Sequence, residues 1–215
     1  MFIDIYQALS SSELKILYTP FSRQVRGMRA RPVMPKEIKT PRFLLKIFSE
    51  SDAAVLSQLI SNEHLQSTTL GFTYPYTLEM AKEYILNIEH AWQSQTGFYY
   101  GVYDDTIEHN HSTLVGGVSL VVNHGFGHGE LGYWVGEPYW GKGIATEIAH
   151  VVAGHGLYSL SLNRIYAQHL SNNERSGAIM RKIGMRLEGI FRQHIHKNRN
   201  WYDVFQYAII KKDLA

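Results

Sequence analysis

Apolar and polar positions change period several times along the chain, and each change marks an element. Residues 42–48 alternate well enough for a strand. Ser49, Glu50, Ser51 and Asp52 follow, with Ser51 or Asp52 placed to cap a helix running to about Ile60. Leu78, Ala81, Ile85 and Ile88 recur at helical spacing, which predicts a helix over 77–92 with Thr77 as its N-cap. Residues 98–103 and 113–123 read as strands separated by a polar loop, 104–112. A turn over 124–129 leads to a further strand, 130–136. Three strands with short connections predict an antiparallel meander. Ile144, Ile148, Val151 and Val152 then share one face of a helix predicted over 141–160. A strand at 163–169 and a short helix at 173–183 follow. A hairpin of 185–196 and 201–210, turning near Asn198, Arg199 and Asn200, completes the pattern. That order predicts one domain, a mixed sheet with flanking helices.

The first 38 residues read differently from the rest. Residues 2–17 suit a short helix or a strand. Arg23, Arg26, Arg29 and Arg31 then sit among Gly27, Pro32 and Pro35. We read 1–38 as an N-terminal extension or arm and 39–215 as the main domain. The basic run is either a solvated linker or a contact for a phosphate or an acidic partner. With a formal charge of +2 over 215 residues, no strong field favours nucleic acid or an anionic membrane. The chain has no cysteine, which excludes disulfides, thiolate metal sites and a catalytic thiol. It also fits a reducing cytoplasm. No apolar run approaches the roughly 18 residues a membrane span needs, and the N-terminus does not read as a signal peptide.

Gly136, Glu137, Pro138, Tyr139, Trp140, Gly141, Lys142, Gly143, Ile144, Ala145 and Thr146 carry the most information. A strand ends, the chain turns through two glycines, and a helix begins. Glycine permits backbone angles and close approaches that a β-carbon blocks. A helix start adds unpaired N–H groups and a positive dipole end, together a seat for a pyrophosphate. A tight turn without any ligand is the other reading. The stretch is not a Walker loop, and it lacks the third glycine of a dinucleotide fingerprint.

After this turn come a long amphipathic helix, a strand, then Asn173, Glu174, Arg175 and Ser176, with Lys182, Ile183, Gly184 and Met185 behind them. In this arrangement the chain resembles the GCN5-related N-acetyltransferase superfamily, and within it the branch of ribosomal-protein alanine N-acetyltransferases. Thr40, Pro41, Arg42, Phe43, Leu44 and Leu45, the stretch from Gly132, Tyr133 and Trp134 to Ala145, Thr146 and Glu147, and the stretch 173–184 with Glu188, Gly189 and Asp203 carry the likeness. The resemblance implies a three-layer α+β fold. Its single sheet is mixed, mostly antiparallel and of about seven strands, with flanking helices and two splayed central parallel strands, here 130–136 and 163–169. It implies acetyl-CoA as cosubstrate, an amine acceptor, no metal and frequent homodimers. The family's coenzyme motif, Arg/Gln-x-x-Gly-x-Gly/Ala, places Gly141 and Gly143 at its small positions and Pro138 at its Arg/Gln position. Trp134, Val135, Trp140, Lys142, Ile144, Ala145, Thr146, Asn173 and Ser176 join the two glycines as coenzyme contacts.

Acetyl transfer to an amine needs a neutral nitrogen, donors for the developing oxyanion and a proton for the leaving thiolate. An α-amine, near about 7.7–8.0, is easier to deprotonate than a lysine, near about 10.4, by roughly 3.5 kcal/mol. Glu130 heads the strand expected to line the cleft and is the first candidate base; a surface or substrate-orienting residue is its other reading. His194 and His196, two apart on one strand, are the alternative, with His194 carried as the catalytic candidate. As a metal pair they lack a third ligand. Some relatives carry a glutamate base in this hairpin, at the position of Ile195 here. Many superfamily members protonate the thiolate with a tyrosine, at the position of Met180 here; in the resembling branch a serine at Ser176 is proposed for it. An N-cap at Asn173 and a first-turn serine are the plain readings of that pair. The oxyanion donor is expected as a backbone N–H near Trp134 or Val135. Tyr74, Trp92, Tyr202 and Asp203 are the acceptor-side candidates, against core, cleft-wall or sheet-edge roles. The reading is therefore an acetyl-CoA-dependent N-acetyltransferase acting on a protein N-terminus or a small amine. A non-catalytic acyl-CoA-binding or regulatory module on the same fold is the competing one.

Overall fold

The computed structural model describes residues 33–108 and 111–214. The basic arm with Arg23, Arg26, Arg29 and Arg31 lies outside the described residues. Two three-residue strands come first: β1 (Glu37–Lys39) and β2 (Leu44–Lys46), antiparallel with Ile38 opposite Leu45. A 3-10 turn, Glu50–Asp52, leads into helix α1 (Ala53–Ile60). Asp52 stands at the N-cap of α1, without a side-chain cap bond, and Ser49 opens the 3-10 turn before it, its N–H donating to Asp52 Oδ2 at 2.7 Å. Helix α2 (Glu63–Thr68) is new. Six residues are too few to show a helical period, and Asn62 Oδ1 starts it by accepting from Leu65 N at 2.9 Å. Helix α3 (Leu78–Ser94) begins at Thr77, whose Oγ1 accepts from Met80 N at 3.3 Å, and ends at Gln95 with φ of 58°.

Strands β3 (Gly97–Glu108), β4 (His111–Asn123) and β5 (His128–Val135) form the expected antiparallel meander. The loop expected over 104–112 is mostly strand, with Asp104 opposite Thr113 and Glu108 opposite His111. Polar side chains on both faces hid the alternation there. Helix α4 (Ile144–Tyr158), strand β6 (Arg164–Leu170), helix α5 (Glu174–Lys182) and the hairpin β7 (Arg186–Lys197) and β8 (Asn200–Ile210) complete the chain. Asn198 and Arg199 turn the hairpin with φ of 51° and 63°, the left-handed pair that matches strand twist.

The sheet has eight strands in the order β1-β2-β3-β4-β5-β6-β8-β7. The strand beyond the expected seven is β1, too short to carry a period. Among the described residues only the β5–β6 pair is parallel. Consecutive residues of a strand face opposite sides, so the sheet feeds two cores. Leu131, Val135, Ile165 and Ala167 pack with Ile148, Val152 and Met180 of α4 and α5. Trp134 joins Leu56, Ile60, Leu65, Ile85 and Ile88 of α1, α2 and α3 on the other face. Among the described residues no helix is long and apolar enough to cross a membrane.

Candidate active site

The parallel ladder is short. His128 pairs Arg164, Gly129 pairs Ile165 and Glu130 pairs Tyr166; there pairing stops, while β5 runs on to Val135 and β6 to Leu170. A cavity of about 290 Å³ opens in this gap. Glu130, Tyr133, Trp134, His169 and Ser176 line it, and the backbone segment 68–72 after α2 closes one side. Gly136 N donates to Val115 O at 2.9 Å. By strand alternation, the N–H of Val135 then faces away from β4, toward the opened side.

Beside the cavity stands the glycine turn. Gly141 and Gly143 adopt φ of 78° and 74°, a region costly for residues with a β-carbon. A β-carbon at Gly141 would meet no protein atom within 4 Å, so the space above the turn is open. The first intrahelical bond of α4 runs from Glu147 N to Gly143 O at 3.2 Å. The N–H groups of Ile144, Ala145 and Thr146 precede it and are the donors that helix starts leave unpaired. Arg42, outside the sequence-based site, braces the turn. Its Nη1 donates to Lys142 O at 2.9 Å and its Nε to Glu147 Oε2 at 2.7 Å. Trp140 is anchored by its Nε1, which donates to Val135 O at 2.6 Å, and the Arg175 guanidinium lies 5.9 Å from its ring centre. The residues present therefore suit a phosphorylated ligand: donors, open space and cations converge on one turn.

Across the gap, α5 presents Asn173 and Ser176. Asn173 is an N-cap, its Oδ1 accepting from Ser176 N at 3.2 Å, while its Nδ2 donates to Thr68 O at 2.8 Å. Both ends of that side chain are thus engaged within the protein. Ser176 Oγ lies 2.9 Å from the hydroxyl of Tyr133. Burial pushes the Tyr133 phenol up, against the opposing pull of its bond to Ser176. No site role falls to Tyr133 from the sequence, although it belongs to the stretch that carries the likeness and alternation along β5 puts it on the α5 face. Met180 is fully buried in the core at that face.

Glu130 lies on the opposite face with Trp134. The Tyr166 hydroxyl donates to Glu130 Oε2 at 3.1 Å. Burial raises the Tyr166 and Tyr99 phenols first, and the Glu130 charge adds to both. Both phenols stay protonated beside a carboxylate that faces the cavity. His169, 6% exposed, holds Leu170 O with Nδ1 at 2.9 Å, and burial lowers its affinity for a second proton.

The hairpin delivers less than the sequence suggested. His194 is exposed, packs on Phe191 at 5.3 Å between ring centres, and does not line the cavity. A bulge between Phe191 and Ile195, with Gln193 at φ of 47°, interrupts the strand before it. Asp203 Oδ1 accepts from Gln193 N at 2.7 Å, so this carboxylate holds the bulge. Tyr202 pairs with Ile195. Trp92 is a packing residue: Nε1 donates to Tyr99 O at 3.2 Å, and its ring meets Phe98 and Tyr100 edge-on. Tyr74 is half-exposed in a separate groove with Glu63, His64 and Asn198. The hairpin residue that does reach the cleft wall is Lys197. Its Nζ donates to Gln66 O and Thr69 O at 2.6 Å and to Phe72 O at 3.3 Å, binding the 68–72 segment. Among the described residues no group of three His, Asp or Glu side chains is placed to hold a metal.

A parallel pair opens around a carboxylate-bearing cavity, beside a glycine turn at a helix start that suits a phosphorylated ligand. The family model for the acetyltransferase (GNAT) domain matches residues 42–186, and the chain belongs to that family of acyltransferases. It is 28% identical over 178 residues to the uncharacterized N-acetyltransferase YoaA of Bacillus subtilis (strain 168), covering 81% of this chain and 96% of the relative. It is 25% identical over 134 residues to the ribosomal protein uS5-alanine N-acetyltransferase of Escherichia coli (strain K12), covering 57% and 68%. The solved structure of RimL, a ribosomal L7/L12 alpha-N-protein acetyltransferase in complex with coenzyme A, shares the fold. Its TM-score is 0.72 at 22% identity, with 83% of this chain and 97% of that one covered.

Proposed function

We propose that this enzyme transfers the acetyl group of acetyl-CoA to the α-amine of a peptide or protein N-terminus, by direct attack in a ternary complex. The carrying observation is the β5–β6 gap, where Glu130 and Ser176 line one cavity from opposite faces of the sheet. The turn at Gly141 and Gly143 and the first N–H groups of α4 hold the pyrophosphate. Glu130 takes the proton from the attacking nitrogen. The Val135 N–H meets the carbonyl oxygen as it gains charge. Ser176 faces the departing sulfur.

An α-amine suits this site for an energetic reason. About a tenth of it is already neutral at pH 7, so a single carboxylate suffices; a lysine asks roughly 3.5 kcal/mol more. The ribosomal-protein relatives support the same acceptor class. A cytoplasmic place of action fits a chain without cysteine.

The test is thiol release from acetyl-CoA against N-terminal peptides, lysine peptides, polyamines and aminoglycosides. N-terminal peptides are expected to give kcat/KM at least about tenfold above lysine peptides, a 1.4 kcal/mol preference. Selective turnover of a polyamine or an aminoglycoside would replace the acceptor assignment.

A further inference from the structure

Tyr133 of β5 and Ser176 in the first turn of α5 meet where the β5–β6 ladder has ended. The phenol oxygen lies 2.9 Å from Ser176 Oγ and 3.1 Å from the Ser176 backbone oxygen. Both residues line the cavity. On the same helix Met180 also lines it and has no proton to give.

A lone serine is a poor proton source for a thiolate, because an aliphatic alcohol is a far weaker acid than a thiol. A phenol starts near about 10, and although burial raises Tyr133 above that value, it remains a stronger acid than an aliphatic alcohol. The protein therefore holds the stronger hydroxyl acid directly behind the weaker one.

We propose that Tyr133 is a positioning residue that completes a two-hydroxyl proton relay, acting through Ser176 on the departing thiolate. The relay rests on the acetyl-transfer reading above. At rest the Tyr133 O–H reaches the Ser176 carbonyl at 3.1 Å; in the relay it turns to Ser176 Oγ, 2.9 Å away, which frees the Ser176 proton to point into the cavity. The amine nitrogen bonds to the acetyl carbon, the carbon–sulfur bond breaks, and its electron pair goes to sulfur. Sulfur takes the Ser176 proton as Ser176 Oγ takes the Tyr133 proton. The proton lost by the amine passes to Glu130 and on to solvent, and solvent returns one to Tyr133 as the thiol leaves. Burial raises the phenol, so Tyr133 rests protonated and takes its proton back from solvent readily once the thiol has left.

The experiment measures kcat in mixtures of light and heavy water, with acetyl-CoA and a reactive amine. Wild type, Tyr133→Phe and a chain carrying 3-fluorotyrosine at position 133 are compared. The relay adds one proton in flight to those of the amine and Ser176, so the wild-type proton inventory should curve more strongly than that of Tyr133→Phe. Its kcat should fall about ten- to a hundredfold, while calorimetric acetyl-CoA affinity stays within about threefold. The fluorinated phenol keeps the shape but is more acidic, so its kcat should move by several-fold. An unchanged inventory, or kcat within about twofold of wild type in both variants, overturns the relay while leaving acetyl transfer intact. A wild type that turns over none of the panel amines overturns acetyl transfer, and the relay with it.

Discussion

On the α4/α5 face of the cleft, the polar groups are close-coupled to one another. Tyr133 meets Ser176, Asn173 caps α5, and Arg42 braces the glycine turn. On the hairpin face the arrangement is sparse. β7 is largely exposed, His194 leans on Phe191, and Asp203 serves a bulge. The contact that shapes the cleft from that side is the Lys197 ammonium on three carbonyls of 66–72. On the proposed reading, the first wall is the one that holds acetyl-CoA. The other is a strap and a hairpin with largely exposed side chains. Rigid elements hold a site more closely than loops do, so on the same reading acceptor choice falls to the less constrained half.

The sharpest way to break this division is at Glu130, which we place on the acceptor side of the chemistry. Glu130→Gln should lower kcat about a hundredfold with acetyl-CoA affinity nearly unchanged in calorimetry. An equal loss of both would move Glu130 into coenzyme binding. Next in size is the fixed wall. Gly141→Val should weaken acetyl-CoA binding at least about tenfold, roughly 1.4 kcal/mol, because a side chain enters open space above the turn at φ of 78°. Unchanged affinity would leave the turn as simple punctuation.

Lys197→Met probes the strap. Losing three charge-assisted bonds should raise the acceptor KM about five- to tenfold, a little over 1 kcal/mol, with acetyl-CoA affinity unmoved. A change in coenzyme affinity instead would mean that the walls are not independent. The smallest effect is electrostatic. Arg164 grips Glu188 with both terminal nitrogens and holds the Glu188 carboxyl below its unfolded value. A carboxyl depressed on folding stabilises above the unfolded value, near 4.5, and that contribution fades as pH falls toward the folded one. Glu188→Gln should therefore cost under about 1 kcal/mol at pH 7, since the pair is partly exposed. The gap between variant and wild type should close in acid denaturant melts.

Much of the fixed wall was legible in the sequence. Gly141 and Gly143 stand where only glycine turns easily into a helix, and Asn173 and Thr77 announce helices by local hydrogen bonds. The strands 130–136 and 163–169 follow from the residue pattern and their splayed parallel pairing from the resemblance; the splay is visible where the ladder stops at Glu130 and Tyr166. The hairpin wall was not legible, because its features are non-local. Gln193 carries no mark of a bulge, and Asp203 lies ten residues from the N–H it accepts. The Lys197 carbonyls are supplied by residues over a hundred positions away. Tyr133 was overlooked for the same reason: alternation assigns its face, but only folding brings Ser176 to it. Helix α2 and strand β1 were too short to show any period.

The central claim is that amine and coenzyme occupy the β5–β6 gap together, with the amine attacking directly. Initial rates of thiol release, with acetyl-CoA and an N-terminal peptide varied against each other, test it most directly. Double-reciprocal lines that intersect are expected for a ternary complex. Parallel lines would mean that the acetyl group passes first to the enzyme, and would contradict the account.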